Sequence, residues 1–144
     1  MEIGNNIVHT GPTLSFGPKD LKGAFSNHND ALVIRAMVAN YDVARIFVDQ
    51  EVMSTFYSRS SLATNLGKNN SKKTSIVSFI IVDAPSAYNA ILGRPAMTTF
   101  MAVASALHQK IKFPVDNEVG EVQGDQVIAR KCYVEEVRIE QKVA

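Results

Sequence analysis

Ala31-Leu32-Val33-Ile34-Arg35-Ala36-Met37-Val38-Ala39-Asn40-Tyr41-Asp42-Val43-Ala44-Arg45-Ile46-Phe47-Val48-Asp49 is the stretch on which the fold turns. Leu32, Ile34 and Ala36 alternate with Val33, Arg35 and Met37, and strands place successive side chains on opposite faces. Asn40-Tyr41-Asp42 supplies turn chemistry, and Val43 to Val48 is a second β-branched run. The reading is a β-hairpin whose second strand delivers Asp49 at its exit.

Outward from that hairpin the signals weaken and then return. Residues before Pro12 mix Gly, Asn and Thr without a period and read as a tail, drawn here over residues 1–13. Leu14-Ser15-Phe16 is a short extended piece closed by Gly17-Pro18-Lys19-Asp20, where Pro18 could open a single helical turn. Ser54 to Ser75 is dense in Ser, Asn, Thr and Lys; a short helix over Ser61 to Leu66 is possible, but no period supports a hairpin. Ile76-Val77-Ser78-Phe79-Ile80-Ile81-Val82 is nearly continuously apolar and predicts a strand buried on both faces. Asp83-Ala84-Pro85-Ser86 makes a turn, and Pro95 sits well for the first turn of a short helix over Ala96 to Met101.

The second half continues as strand over Ala102 to Leu107 and Gln109 to Phe113, turn over Pro114 to Gly120, and return over Glu121 to Gln123. A terminal helix follows, with Gly124-Asp125 as its cap and Ala129, Tyr133 and Val137 sharing a face. Glu135 and Arg138 form a supporting i, i+3 pair. The domain is drawn over residues 14–136, with residues 137–144 as helix end and tail.

Composition narrows the partners. The 144 residues suit one domain, and 46% hydrophobic content allows a core without disulfides or a metal. Fifteen basic and fourteen acidic residues leave a net +1, so nothing calls for nucleic acid or an anionic membrane. The basic cluster Lys68, Lys72 and Lys73 reads as a solvated loop. Cys132 is the only cysteine and has no internal partner, which suits a reducing compartment; it reads as a small core residue. The first residues lack a basic start and an apolar run, and no apolar stretch is long enough to span a bilayer. The expectation is an intracellular, cytoplasmic protein without membrane partner, and Asn69-Asn70-Ser71 is not expected to carry glycan.

Candidate reactive groups are few. His9, His28 and His108 are single and widely spaced, and no metal-ligand spacing joins them to Cys132, so neither metal nor cofactor is expected. Ser105 and His108 suggest a nucleophile and base, yet they fall at a strand segment with no orienting acid and are discounted. Asp83 lies in a turn and is a weak second carboxylate. Asp49, at a strand exit, is the best acid.

Three blocks then carry a family resemblance. Asn27-His28-Asn29-Asp30-Ala31-Leu32-Val33 leads to Arg45-Ile46-Phe47-Val48-Asp49. Phe79-Ile80-Ile81-Val82-Asp83-Ala84-Pro85-Ser86-Ala87-Tyr88-Asn89-Ala90-Ile91-Leu92-Gly93-Arg94-Pro95 is the longest. Lys110-Ile111-Lys112-Phe113-Pro114 precedes Val119 to Gln126 and Ala129-Arg130-Lys131-Cys132-Tyr133. In this order they resemble the retropepsin-like aspartic protease domain of gypsy-class plant retrotransposon polyproteins, over roughly Leu14 to Glu136.

The resemblance implies a mainly β fold: a partial, retropepsin-like closed β-barrel with one or two short helices and a C-terminal helix. It also implies a homodimer in which each protomer supplies one catalytic Asp, here Asp49. Two carboxylates about 3 Å apart share one proton, so one activates water while the other protonates the substrate carbonyl. The family motif is Asp, then Thr or Ser, then Gly; here Gln50 and Glu51 follow Asp49. Gln50 loses the hydroxyl that ties the two loops together, and Glu51 adds a Cβ where a left-handed conformation would cost about 1–2 kcal/mol. Only Val52 to Thr74 is left to supply the flap, so the flap is expected to be missing or replaced. Ile91-Leu92-Gly93 should pack behind the Asp49 loop. The expectation is a noncatalytic remnant able to self-associate; the alternative is an active endopeptidase that processes a polyprotein with Asp49 in a dimer, taking a peptide as its substrate. A repurposed peptide- or protein-binding module is a third reading.

Overall fold

The computed structural model describes residues 11–21, 30–52, 59–68, 71–80 and 84–143. It is mainly β, built on a curled half-barrel sheet. The strands are β1 (Val33–Val38), β2 (Tyr41–Val48), β3 (Arg59–Leu66), β4 (Lys73–Ile80), β5 (Ala90–Leu92), β6 (Val103–Ser105), β7 (Lys110–Val115) and β8 (Glu118–Gln123). The helices are α1 (Arg94–Phe100) and α2 (Gln126–Val143), and a single 3-10 turn spans Pro18–Leu21, where Pro18 was expected to open one. Five strands form one sheet in the order β4-β3-β1-β2-β5, and β6-β7-β8 form a second.

The β1–β2 hairpin forms as expected, with its turn one residue early at Ala39-Asn40 and Tyr41 already paired with Val38. Its ladder carries a bulge. Ile34 faces Ile46 and Ala36 faces Val43, so Arg35 alone opposes Ala44 and Arg45. Arg45 takes a left-handed φ of 59°, which costs a non-glycine residue about 1–2 kcal/mol. Asn89 secures the bulge, donating from its side-chain amide to Ala44 O at 2.7 Å and from its backbone N–H to Arg45 O at 2.9 Å.

The segment expected to be irregular is the largest correction. β3 and β4 pair antiparallel from Arg59↔Ile80 to Leu66↔Lys73, and β3 adds to β1 through Met37↔Asn65 and Val38↔Thr64. β3 therefore stands where no strand, and at most a helix over Ser61 to Leu66, was anticipated, and β4 begins at Lys73, ahead of the strand expected from Ile76. The period was hidden because one inward position is polar. Thr64 is fully buried between half-buried Leu62 and buried Leu66, and its hydroxyl donates to Leu62 O at 3.2 Å. Thr fits a pleated surface as well as an aliphatic residue once its hydroxyl is bonded.

β4 is also not the doubly buried strand that its apolar run suggests. It is an edge strand: Val77 is buried while its neighbour Ile76 is 62% exposed. Lys73 belongs to it rather than to a solvated loop, and its ammonium donates to Phe100 O at the end of α1. Residues 81–83, including Asp83, lie outside the described residues, as do His9, His28, Asn69 and Asn70.

α1 matches its expected position, with Pro95 in its first turn and Met101 ending it in a left-handed conformation. β7 runs on through Pro114 to Val115, so the turn before β8 is only Asp116-Asn117 rather than Pro114 to Gly120. Asp116, at φ 55°, supplies the left-handed residue that a two-residue hairpin turn needs. The core is continuous across both sheets and α1, with Ile34, Ile46, Leu66, Leu92, Phe100, Ile111 and Phe113 buried together.

α2 is capped as anticipated. Asp125 Oδ1 accepts the Ile128 N–H at 3.0 Å, and the Asp125 N–H donates to Val33 O at 2.8 Å. The Glu135–Arg138 pair also forms, at 3.6 Å. The buried face differs from expectation: it runs through Gln126, Ala129 and Cys132, while Tyr133 is 69% exposed. A polar residue leads that face because Gln126 Nε2 donates to the Asp30 carboxylate at 2.9 Å.

A charged cluster attaches the N-terminal segment to the second sheet. Asp20 is buried, yet it accepts from the Gly17 N–H at 2.8 Å and meets Lys112 Nζ at 3.0 Å and Lys110 Nζ at 3.3 Å. Lys112 also donates to Ser15 O at 2.7 Å and lies over the Phe16 ring. The Gly17 N–H and the two ammonium groups hold the Asp20 carboxyl well below its ordinary value of 3.8. A depressed folded value contributes stability that is complete above the ordinary pKa and lost as pH falls through the folded one. Asp20→Asn should therefore melt at a lower temperature than the parent at about pH 7. Thermal melts down a pH series should show that gap closing only in strongly acid solution; a gap that is constant with pH would show that the carboxylate contributes nothing by its charge.

Candidate functional site

The site is built at the end of β2. There the chain leaves the β1–β2 hairpin and is caught by β5, which runs parallel to β2 with Ile46↔Ala90, Phe47↔Ile91 and Val48↔Leu92 in register. The Val48 N–H still donates to Leu32 O at 2.9 Å, whereas the next N–H, of Asp49, donates to Leu92 O at 3.0 Å. Asp49 thus sits where the chain passes from one neighbour to the other. The Asp49 carbonyl then accepts the Val52 N–H at 3.2 Å, closing a four-residue turn over Asp49-Gln50-Glu51-Val52.

Both residues expected to disrupt this turn are accommodated. Asp49 Oδ1 accepts the Glu51 N–H at 2.9 Å, an Asx turn that needs no glycine. Among the described residues the non-glycine positions with positive φ are Ala39, Arg45, Met101, Gln109 and Asp116, and Glu51 is not one of them. The left-handed cost expected at Glu51 is therefore not incurred. Gln50 is exposed and turns its amide toward the second sheet, donating to Ala104 O at 3.0 Å. Arg94 Nε donates to Gln50 O at 3.1 Å, clamping the turn from outside.

Ile91-Leu92-Gly93 does lie behind this loop. The Arg94 N–H donates to Val52 O at 2.9 Å, and Gly93 is so close that a Cβ placed there would stand 2.5 Å from the same carbonyl oxygen. Absence of a side chain at this position is what lets the two segments share hydrogen bonds.

Nothing described lies over the loop as a lid. β3 pairs antiparallel to β1 with Thr64 opposite Val38, and the Ala39 N–H donates to Ala63 O. The register carries the first half of β3, and with it the paired end of β4, past the Ala39-Asn40 turn. That is the end of the sheet opposite Asp49. Asp49 is half-buried and Glu51 exposed. The paired strands occupy the chain position in which a flap was sought, and among the described residues they extend the sheet.

The remaining candidates separate cleanly. Ser105 and His108 do come together, with the hydroxyl 2.8 Å from His108 Nδ1 and accepting the His108 N–H at 3.2 Å. The pairing closes the turn between β6 and β7, and the imidazole stacks on Phe16 at 5.1 Å. Serine accepting the backbone N–H three residues on is a common turn device. Cys132 is fully buried, and burial pushes its thiol up, the opposite of an activated nucleophile. Among the described residues no group of three His, Cys, Asp or Glu side chains could hold a metal ion. The anchoring roles of Arg94, Gln50 and Asn89 were not anticipated; the only sequence signal for them is their closeness to Gly93 and Asp49.

Gly93→Ala should lose about 1–3 kcal/mol, because the added methyl group meets backbone rather than a movable side chain. Urea denaturation of the variant beside the parent checks this, and a loss below the lower figure would mean that the seam between the two loops is not tight. Compared with models of protein families, with curated proteins and with solved structures, the chain matches none.

Proposed function

We propose that this chain is a noncatalytic remnant of a retrotransposon aspartic protease domain. The observation that carries the reading is the seam just described. Two of the blocks that carry the resemblance contain Asp49 and Ile91-Leu92-Gly93; Asp49 and Ile91 are 42 positions apart in the chain, and the two segments are hydrogen-bonded neighbours in space. A turn that presents an aspartate at a strand exit, backed by a glycine from a parallel strand, is the arrangement that the resemblance implies.

Loss of activity follows from the chemistry of the loop. A carboxyl pair works because its members are held at one distance with a single shared proton. In relatives the residue after the aspartate contributes a hydroxyl that ties two such loops together. Gln50 has no hydroxyl, and its amide is spent on Ala104 O of its own chain. Glu51 brings another carboxylate next to the position where a second loop would approach, which opposes pairing by like-charge repulsion. Self-association through sheet edges remains part of this proposal, since β4 stands at the edge of the five-stranded sheet among the described residues.

The alternative, turnover by a dimer using Asp49, differs in one measurement. Purified protein incubated with a peptide library at about pH 5, where such a pair shares its proton, should release no product above the Asp49→Asn variant. Cleavage abolished by Asp49→Asn would overturn the remnant reading. The double variant Gln50→Thr, Glu51→Gly should also stay inactive; activity there would show that the loop chemistry alone, and not the missing cover, had silenced the domain.

A further inference from the structure

Between α2 and the bulge of β2 an open groove of about 410 Å³ is lined by Arg45, Arg130, Lys131, Val134, Glu135 and Arg138. Four of the six are cations and one is an anion. Two of the cations are matched: Arg130 Nε lies 3.0 Å from the Asp30 carboxylate, and Arg138 lies 3.6 Å from Glu135. Four cations against those two carboxylates leave an excess of two positive charges, and Arg45 and Lys131 form no ion pair with any described residue.

Arg45 reaches this groove from the β-bulge on β2, in a left-handed conformation that arginine rarely adopts. Bulges redirect a side chain out of the regular alternation of a strand, and backbone strain held in place by neighbours points to use. Asn89 holds the backbone on both sides of the strained residue. Glycine would occupy this position without strain. What arginine adds is a charge at the end of a long arm, facing a helix that carries Lys131 and an exposed Val134.

We infer that this groove binds a carboxylate-bearing segment of a partner polypeptide, with Arg45 and Lys131 taking its acidic side chains and Val134 taking an aliphatic neighbour. Charge complementarity selects the occupant. A nucleic acid would need a continuous positive track, whereas Glu135 stands in the wall here and the chain as a whole carries only +1. Arginine and lysine at a shallow, half-apolar groove suit a short acidic peptide better than a polyphosphate. The proposal goes beyond the remnant reading and is independent of Asp49.

The test uses a fluorescein-labelled dodecapeptide alternating Glu with Leu and Ser, titrated with the full chain at low ionic strength. Beside it run a peptide of the same length and pattern with Lys for Glu, and a single-stranded oligouridylate. The expected result is saturable binding of the acidic peptide that weakens as salt is added, with little binding of the other two. Arg45→Gly and Lys131→Ser should each weaken it roughly three- to fivefold, and together about tenfold or more. Arg45→Gly should melt at the same temperature as the parent or higher, since it releases strain. Absence of binding, equal binding by the double variant, or tighter binding of the oligouridylate would each overturn the proposal. Lys131→Ser lies on an exposed helix position and keeps the binding arm readable if the bulge variant folds poorly.

Discussion

Everything near Asp49 depends on a change of hydrogen-bond partner between two consecutive residues. The Val48 N–H is bonded to Leu32, just ahead of β1, and the Asp49 N–H to Leu92 of β5, so the strand end is held from both sides before the chain turns. Parallel pairing requires a long connection between its two strands, and here that connection includes the whole β3–β4 hairpin. The hairpin, the glycine at 93 and the short helix α1 are therefore linked to one seam. Arg94 extends it with two bonds in opposite directions, its backbone N–H to Val52 O and its guanidinium to Gln50 O. The turn is thus held largely through its own backbone carbonyls and N–H groups, which do not depend on the identity of the side chains at Gln50 and Glu51.

How much of this was legible follows from which residues carry regular patterns. The β1–β2 hairpin, α1 with Pro95, and the capped start of α2 were readable because alternation, a proline and an Asp each act over a few residues. β3 was hidden because Thr64 stands at a core position, and β4 was misread because Ile76 is apolar yet faces solvent. An apolar run does not say which of its residues is outside when the strand lies at a sheet edge. The inward face of α2 went to Cys132 instead of Tyr133 for a related reason. Its position is set by Asp125 bonding to Val33 O and by Gln126 and Arg130 meeting Asp30, contacts about a hundred residues apart that no local period can encode.

The site shows the same division. Asp49 and Gly93 were identifiable as a pair through resemblance, and the structure places their loops together. The consequence assigned to Glu51 was not correct, because it assumed that the turn had kept a left-handed residue. An aspartate side chain that accepts the N–H two residues on reaches a similar turn with ordinary dihedral angles. Sequence comparison with a glycine-bearing motif cannot distinguish a strained turn from one rebuilt on different hydrogen bonds.

Buried charge makes a complementary point about how the N-terminal segment is held. Asp20, Lys110 and Lys112 form a compact cluster, with Lys112 only 7% exposed at its side chain and Glu121 at its open end. Burying such groups is unfavourable unless each is paired and hydrogen-bonded, and here Gly17, Ser15 and the Phe16 ring complete the set. Apolar residues of similar volume would hold a sheet together at least as well. They would not fix where the Leu14 to Leu21 segment lies, because apolar contacts are non-directional. The cluster therefore determines position more than it adds stability, and it does so on the face of the second sheet whose first strand supplies Ala104 O to Gln50. The N-terminal segment, the second sheet and the Asp49 turn are in this way joined by hydrogen bonds and ion pairs, so the shape of the turn rests on contacts made well outside it.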